Sequence, residues 1–138
     1  MGYASTIFEE RKELGGMMRY GIPGYRTPRD LLDKEIERII NLGDIELVLG
    51  KRVGKDVKLE DVEKSHDAVL WTIGCWNGKA IPVDGGDATN CITGVDFLEA
   101  FCDGRLKVGS KKVICVGGGD TSIDVVSVAR RLGHISKM

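Results

Sequence analysis

The segment that most constrains the fold is Val113-Ile-Cys-Val116, followed by Gly117-Gly118-Gly119-Asp120-Thr121-Ser122-Ile123-Asp124 and then by Val125, Val126, Val128, Ala129 and Leu132 at helical spacing. An apolar β-favouring run, a glycine turn and a helical period, in that order, predict a strand–turn–helix unit of the kind that opens a parallel βα arrangement. Gly117 permits the tight bend, Gly119 lets backbone approach a pyrophosphate, and Ser122 is small enough for the helix to pack close to the strand. The helix start directs free N–H groups and the positive end of its dipole at bound phosphate. Such glycine patterns also occur in purely structural βα turns; the strand before and the helix after favour a dinucleotide site. Asp120 and Thr121 stay open to two roles, capping the first-turn N–H groups or touching the ligand. The acid or arginine that separates NAD from NADP, about 20 positions after the glycines, is expected just past the last residue of this sequence.

The remaining pattern is also α/β. Ser5–Phe8 and Ile45–Leu49 predict strands, and Asp67–Ile73, a run without alternation, predicts a strand covered on both faces. Thr27 as N-cap, Pro28 at the first helical position and Asp30 three residues after the cap open a helix that carries Leu32, Ile36, Ile39 and Ile40 and closes at Gly43. Met17–Tyr25 contains Gly21, Pro23 and Gly24, which exclude a regular element, and its Met, Tyr and Ile residues predict an apolar loop packed on something. Leu59–Lys64 predicts a short helical turn, Asn77–Asn90 a turn-rich break, Val95–Cys102 a helix, and Asp103–Ser110 a polar linker entering the Val113 strand through Lys111 and Lys112. The fold class expected is a Rossmann-like, doubly wound parallel sheet.

Composition narrows the function. Twenty Lys and Arg against 21 Asp and Glu leave a net charge of −1, which offers no attraction for nucleic acid or an anionic membrane. No apolar run reaches the ~18 residues of a membrane span, and the first ten residues lack the basic-then-apolar order of a secretory leader, so a cytoplasmic location is expected. The four cysteines form no C-x-x-C pair, and the two histidines stand alone, so no metal, cluster or redox disulfide is expected. Nineteen glycines, roughly twice average usage, imply close backbone approach or many tight turns. Glu9, at the tip of the first strand, occupies the place of an acid that accepts from an adenosine ribose in a βαβ dinucleotide fold.

The string Ile7-Phe-Glu-Glu-Arg-Lys-Glu-Leu-Gly-Gly-Met-Met-Arg-Tyr-Gly-Ile-Pro-Gly-Tyr-Arg26, with Pro28-Arg-Asp-Leu-Leu-Asp33, closely resembles the FAD domain of glutamate synthase small-subunit-like oxidoreductases, relatives of the flavin module of dihydropyrimidine dehydrogenase. The resemblance continues through Val53-Gly-Lys-Asp-Val57, Asp67-Ala-Val69, Thr72-Ile-Gly74 and Asp96-Phe-Leu98 into Gly117–Thr121. It implies a partial FAD-binding domain over residues 1–104 and the start of an NAD(P)H-binding domain over 105–138. It implies Glu9 as the ribose acid, Gly15, Gly16 and Met17 against FAD, Arg26 as a cationic donor to the flavin nucleotide, and Val53 near the adenine. Gly74 ends a strand against FAD, where Thr72-Ile73-Gly74 stands in place of the family's usual Ala-Thr-Gly. Gly117, Gly118, Gly119, Asp120 and Thr121 would hold the NAD(P)H pyrophosphate.

What the resemblance implies in function is hydride transfer from NAD(P)H, with NADPH favoured, to FAD. Electrons would then pass onward through an iron–sulfur module to a glutamate synthase large subunit. The family's first FAD strand, the rest of its NAD(P)H domain and its returning FAD segment have no counterpart here, so the chain is expected to be a fragment without catalysis of its own. Two other readings are a non-catalytic nucleotide-binding module and a structural fragment. In the latter, Val113–Val116 docks beside Ser5–Phe8 in a permuted sheet, within one chain or in a homodimer by segment exchange.

Overall fold

The computed structural model describes residues 2–109 and 112–137. Its elements, in chain order, are β1 (Ser5–Glu9), α1 (Gly16–Tyr20), α2 (Arg29–Ile40), β2 (Ile45–Leu49), α3 (Leu59–Ser65), α4 (Gly94–Cys102), β3 (Lys112–Ile114), α5 (Asp120–Arg131) and β4 (Ile135–Lys137). The chain divides into two compact units, one of Met1–Gly15 and Arg29–Ile73, the other of Gly16–Pro28 and Gly74–Met138. Each holds one parallel pair of strands, β1 with β2 and β3 with β4.

In the first unit, β1 and β2 run in register from Ser5 opposite Ile45 to Glu9 opposite Leu49. Parallel neighbours require a crossover between them, and α2 supplies it. On α2 Leu32 is buried and Ile36 and Ile40 are half-buried, an i, i+4 row, while Ile39 of the expected stripe faces out. The N–H groups of α3 begin to be satisfied at Lys58, and its Val62 completes the buried pair of this unit. The expected strand over Asp67–Ile73 does not form. Residues 68–73 are irregular, with Leu70 86% and Ile73 72% exposed. An unalternating apolar run becomes a strand where neighbours cover both its faces and pair with its backbone. Among the described residues the β1–β2 sheet stops at two strands, and 67–73 joins neither edge.

The second unit is built on two helices. Phe97 and Leu98 of α4 pack with Val125, Val128 and Ala129 of α5, and Val128 and Ala129 lose all their exposure. Each large side chain buried there is worth ~1.5–3 kcal/mol relative to exposure. Thr93 caps α4, its Oγ1 accepting from the Asp96 backbone N–H and donating to the Asp96 carboxylate. Phe101, Leu106, Val108, Val113 and Cys115 surround this core, so the segment after α4 is no polar linker: its two aliphatic residues are anchors. β3 spans 112–114 rather than 113–116, and Val116 is exposed. It pairs in parallel with β4, Lys112 opposite Ile135, and α5 connects them. The strand–turn–helix expected from sequence is therefore a full βαβ unit. The same pairing overturns the permuted sheet within one chain, because β1 and β3 lie in separate sheets with other partners.

Candidate functional site

The geometry with chemical content lies where β3 passes into α5. Gly117 has φ +127°, a conformation L side chains rarely adopt, and a Cβ placed there would sit 2.8 Å from Ser122 Oγ. The two roles expected of Gly117 and Ser122, tight turn and close helix approach, are thus one contact. Nothing lies within 4 Å of where a side chain would begin at Gly118 or Gly119. Gly119 is the N-cap of α5 and offers no side chain to the first turn, whose N–H groups are the natural ligands of an anion. Gly94, the first residue of α4, abuts this turn: a Cβ there would meet Thr121 Cγ2 at 2.9 Å.

Asp120 and Thr121 border a cavity of about 260 Å³, which also has Val95 and Leu98 in its wall. The rest of the wall comes from the segment Gly16–Pro28, through Met17, Gly21, Ile22 and Arg26, and from Asp124 on α5. The sequence pattern predicts Met17–Tyr25 as an apolar loop with no regular element; its first part is instead helical, because Gly21, Pro23 and Gly24 all lie after α1 and leave its turn uninterrupted. It begins as α1 and then turns: the N–H groups of Gly21 and Ile22 donate to Met17 O, and those of Arg26 and Thr27 donate to Pro23 O. Pro23 is fully buried, and the Cys102 thiol of α4 donates to Ile22 O at 3.6 Å.

Arg26 is held from α5. Its Nη1 donates to both carboxylate oxygens of Asp124, each at 2.8 Å, across 98 positions of sequence. The Asp124 side chain is 5% exposed and that of Arg26 46%. The hydrogen bond to Asp124 and then its Coulomb attraction raise the Arg26 pKa above the ordinary arginine value, with Asp120 adding a smaller attraction. Two turns along α5, Arg131 stacks its guanidinium 3.8 Å from the centre of the Tyr25 ring.

Among the residues expected at a site, Met17, Arg26, Asp120 and Thr121 thus share one cavity. Gly16, with φ +48°, opens α1 next to Met17. Gly74 (φ +71°) lies exposed in the irregular stretch, 3.7 Å from Trp76 Nε1 when given a Cβ. Three others belong to the first unit. Glu9 ends β1 with Oε1 accepting from the Arg11 N–H at 2.8 Å, a local contact that orients the carboxylate at the strand tip. Gly15 has φ +120°. Val53 forms a bridge with Val57 in a turn closed by the Gly54 N–H donating to Val57 O.

The chain is 41% identical over 137 residues to the NADPH-Fe(3+) oxidoreductase subunit beta of Geobacter sulfurreducens, covering 96% of this chain and 20% of that protein. It is 35% identical over 135 residues to the NAD-dependent dihydropyrimidine dehydrogenase subunit PreT of Salmonella typhimurium, 96% of this chain and 32% of that one. It is 29% identical over 147 residues to the glutamate synthase [NADPH] small chain of Azospirillum brasilense, with 98% and 30% covered. This chain matches one segment of the glutamate synthase small-chain-like oxidoreductase subunits. It spans about a fifth to a third of the length of these curated relatives and is homologous to part of oxidoreductase enzymes. FprA from Mycobacterium tuberculosis, in a mutant form, superposes with a TM-score of 0.79 over 91% of this chain and 29% of its own, at 18% identity, a likeness of fold. No protein-family model matches the chain.

Beside this glutamate synthase small-chain-like segment, two further features of the structure bear on chemistry. Among the described residues no group of three or more His, Cys, Asp or Glu is placed to hold a metal, and no helix is long and apolar enough to cross a membrane. The residue that sequence reading missed is Asp124. Its signal was present: positions 124, 125, 128 and 129 form one helical stripe, and a carboxylate on an otherwise buried stripe requires a partner.

Proposed function

We propose that the chain is part of a flavin-dependent oxidoreductase in which hydride passes from NAD(P)H to FAD. One observation carries the reading: a turn bent at Gly117, open above Gly118 and Gly119, set at the uncapped start of α5. A dinucleotide pyrophosphate needs this combination of close backbone approach and free N–H groups. The names of the relatives, which include NADPH and NAD, support the same class.

The residues fit a pyridine nucleotide at this turn. Gly118 and Gly119 would leave room for the pyrophosphate, Gly117 shapes the turn that would lie beneath it, and the backbone N–H groups of Asp120 and Thr121 would donate to it. FAD, when bound, supplies the redox chemistry as hydride acceptor. Glu9, held by the Arg11 N–H, keeps acceptor capacity for a ribose hydroxyl, and Gly15 and Val53 are the first unit's other contributors. Gly16, Met17, Gly74 and Arg26 keep the FAD-contact roles that the family resemblance implies, with Asp124 orienting the Arg26 guanidinium. No acid or base of this chain is required for the transfer; its part is binding and orientation.

On this reading residues 1–104 contribute to an FAD-binding domain and 105–138 open an NAD(P)H-binding domain, each an incomplete part of a Rossmann-like doubly wound sheet. NADPH is the preferred donor, the location is the cytoplasm, and the onward partner is an iron–sulfur module or a glutamate synthase large subunit. The test is absorbance and fluorescence of the purified chain, then titration with FAD and with NADPH. Saturable nucleotide binding without turnover is the expected result, and bound flavin that bleaches anaerobically on adding NADPH would extend the activity to these 138 residues. A chain that binds neither nucleotide would refute a cofactor-binding role for these 138 residues.

A further inference from the structure

We propose that Asp124 is a positioning residue: through Arg26 it fastens the segment Gly16–Pro28 to α5, so that this strap and the glycine turn respond to a ligand as one body. Asp124 is the charged residue buried among the described residues, at 3% exposure. A carboxylate taken that far out of water must be paired, and its removal from its partner is strongly unfavourable. Its partner is Arg26, whose Nη1 lies 2.8 Å from each oxygen. The adjoining strap residue, Tyr25, receives Arg131 over its ring. Positions 124 and 131 are seven residues apart, about two helical turns, and so lie on one face of α5. Two consecutive strap residues are therefore fixed at two points along a single helix face. The Cys102 thiol on Ile22 O adds a third attachment, from α4.

The helix that receives these attachments starts at the glycine turn. Asp124 is one turn from Asp120, and Ser122 between them is the residue on which Gly117 closes. Met17, on the strap, lies in the wall of the cavity that Asp120 and Thr121 border. A ligand that orders the start of α5 therefore orders the anchor of the strap, and loss of the anchor uncouples the two. This rests on the reading that the turn holds a pyridine nucleotide, and the test separates the two claims.

Hydrogen exchange is measured on the full chain for wild type, Asp124→Asn and Arg26→Lys, without and with NADP+. The reporters are the Gly21, Ile22, Arg26 and Thr27 amides, all hydrogen-bonded within the strap, and the Phe97 and Asp103 amides of α4, in the same unit, serve as a control for unfolding of that unit. Without nucleotide, the strap amides are expected to exchange about 10- to 100-fold faster in Asp124→Asn, the factor set by losing a hydrogen bond to a charged group. Arg26→Lys, which keeps the cation and loses the planar donor, gives a smaller acceleration. If Asp124→Asn also loses the α4 protection, Arg26→Lys decides. NADP+ is expected to slow the strap amides of wild type and not those of Asp124→Asn, while slowing the Asp120–Ile123 amides in both. Strap exchange at the wild-type rate in both variants would overturn the proposal, as would equal slowing by NADP+ in wild type and Asp124→Asn. If NADP+ leaves the Asp120–Ile123 amides of wild type unchanged, the nucleotide reading fails, and the nucleotide-free comparison alone decides the anchor.

Discussion

Replacing Gly117 by alanine tests the turn without any ligand. The backbone there has φ +127°, and holding a residue with a Cβ in so sparsely populated a region costs about 1–3 kcal/mol. The new Cβ would stand 2.8 Å from Ser122 Oγ, so helix and turn must shift apart, an overpacking that adds about 1 kcal/mol or more. Together the loss is about 2–4 kcal/mol. With a urea m-value of about 1–2 kcal/mol/M for a small domain, the midpoint falls by about 1–4 M. Urea unfolding followed by far-UV circular dichroism reads this directly. Two companions dissect it. Gly117→Ala with Ser122→Gly relieves the contact and keeps the backbone strain, recovering about 1 kcal/mol. Gly118→Ala has nothing within 4 Å of its new methyl and stays within about 0.5 kcal/mol of wild type. A Gly117→Ala chain as stable as wild type, or a Gly118→Ala chain equally destabilised, would refute the reasoning that places the tight bend at Gly117.

Phe97→Ala removes a ring 4% exposed between α4 and α5 and is expected to cost about 3–5 kcal/mol in the same urea assay. Trp71→Ala is expected to cost no more than about 0.5 kcal/mol, because Trp71 is 54% exposed in an irregular segment; a loss of several kcal/mol would restore the covered strand. Arg38 donates to Glu35 at 2.6 and 3.1 Å and lowers its pKa, by the hydrogen bond first and by charge second. A carboxylate with a depressed folded-state pKa stabilises above its ordinary pKa and loses that contribution as pH falls through the lowered value. Carboxyl-carbon NMR titration should show Glu35 returning to the ordinary glutamate range in Arg38→Gln, and no change between the two proteins would remove the pair.

Much of the local structure was legible before any coordinates. β1 and β2 follow from short β-favouring runs, α2 from its cap signal and apolar spacing, α4 from helical spacing, and the turn at Gly117–Gly119 from glycines between a strand and a helical period. These elements depend on interactions within a few residues of one another, which a sequence displays directly. The fate of Asp67–Ile73 was not legible, because whether an apolar run becomes a strand depends on neighbours that pair with it and cover it. Leu106 and Val108 read as linker residues, yet their burial depends on what the chain places opposite them. β4 is three residues long, too short for any periodicity to mark it.

The candidate site divides the same way. The glycine turn and the acid at the tip of β1 could be named from sequence, since each is a local pattern with a local purpose. The grouping of Met17, Arg26, Asp120 and Thr121 around one cavity could not, nor could the pairing of Arg26 with Asp124 across 98 positions. The sequence by itself determined which residues could bend, cap and bind. The tertiary structure alone decided that the carboxylate on the buried face of α5 would take its counter-charge from the strap, because a buried charge is tolerable only where a distant segment brings it a partner.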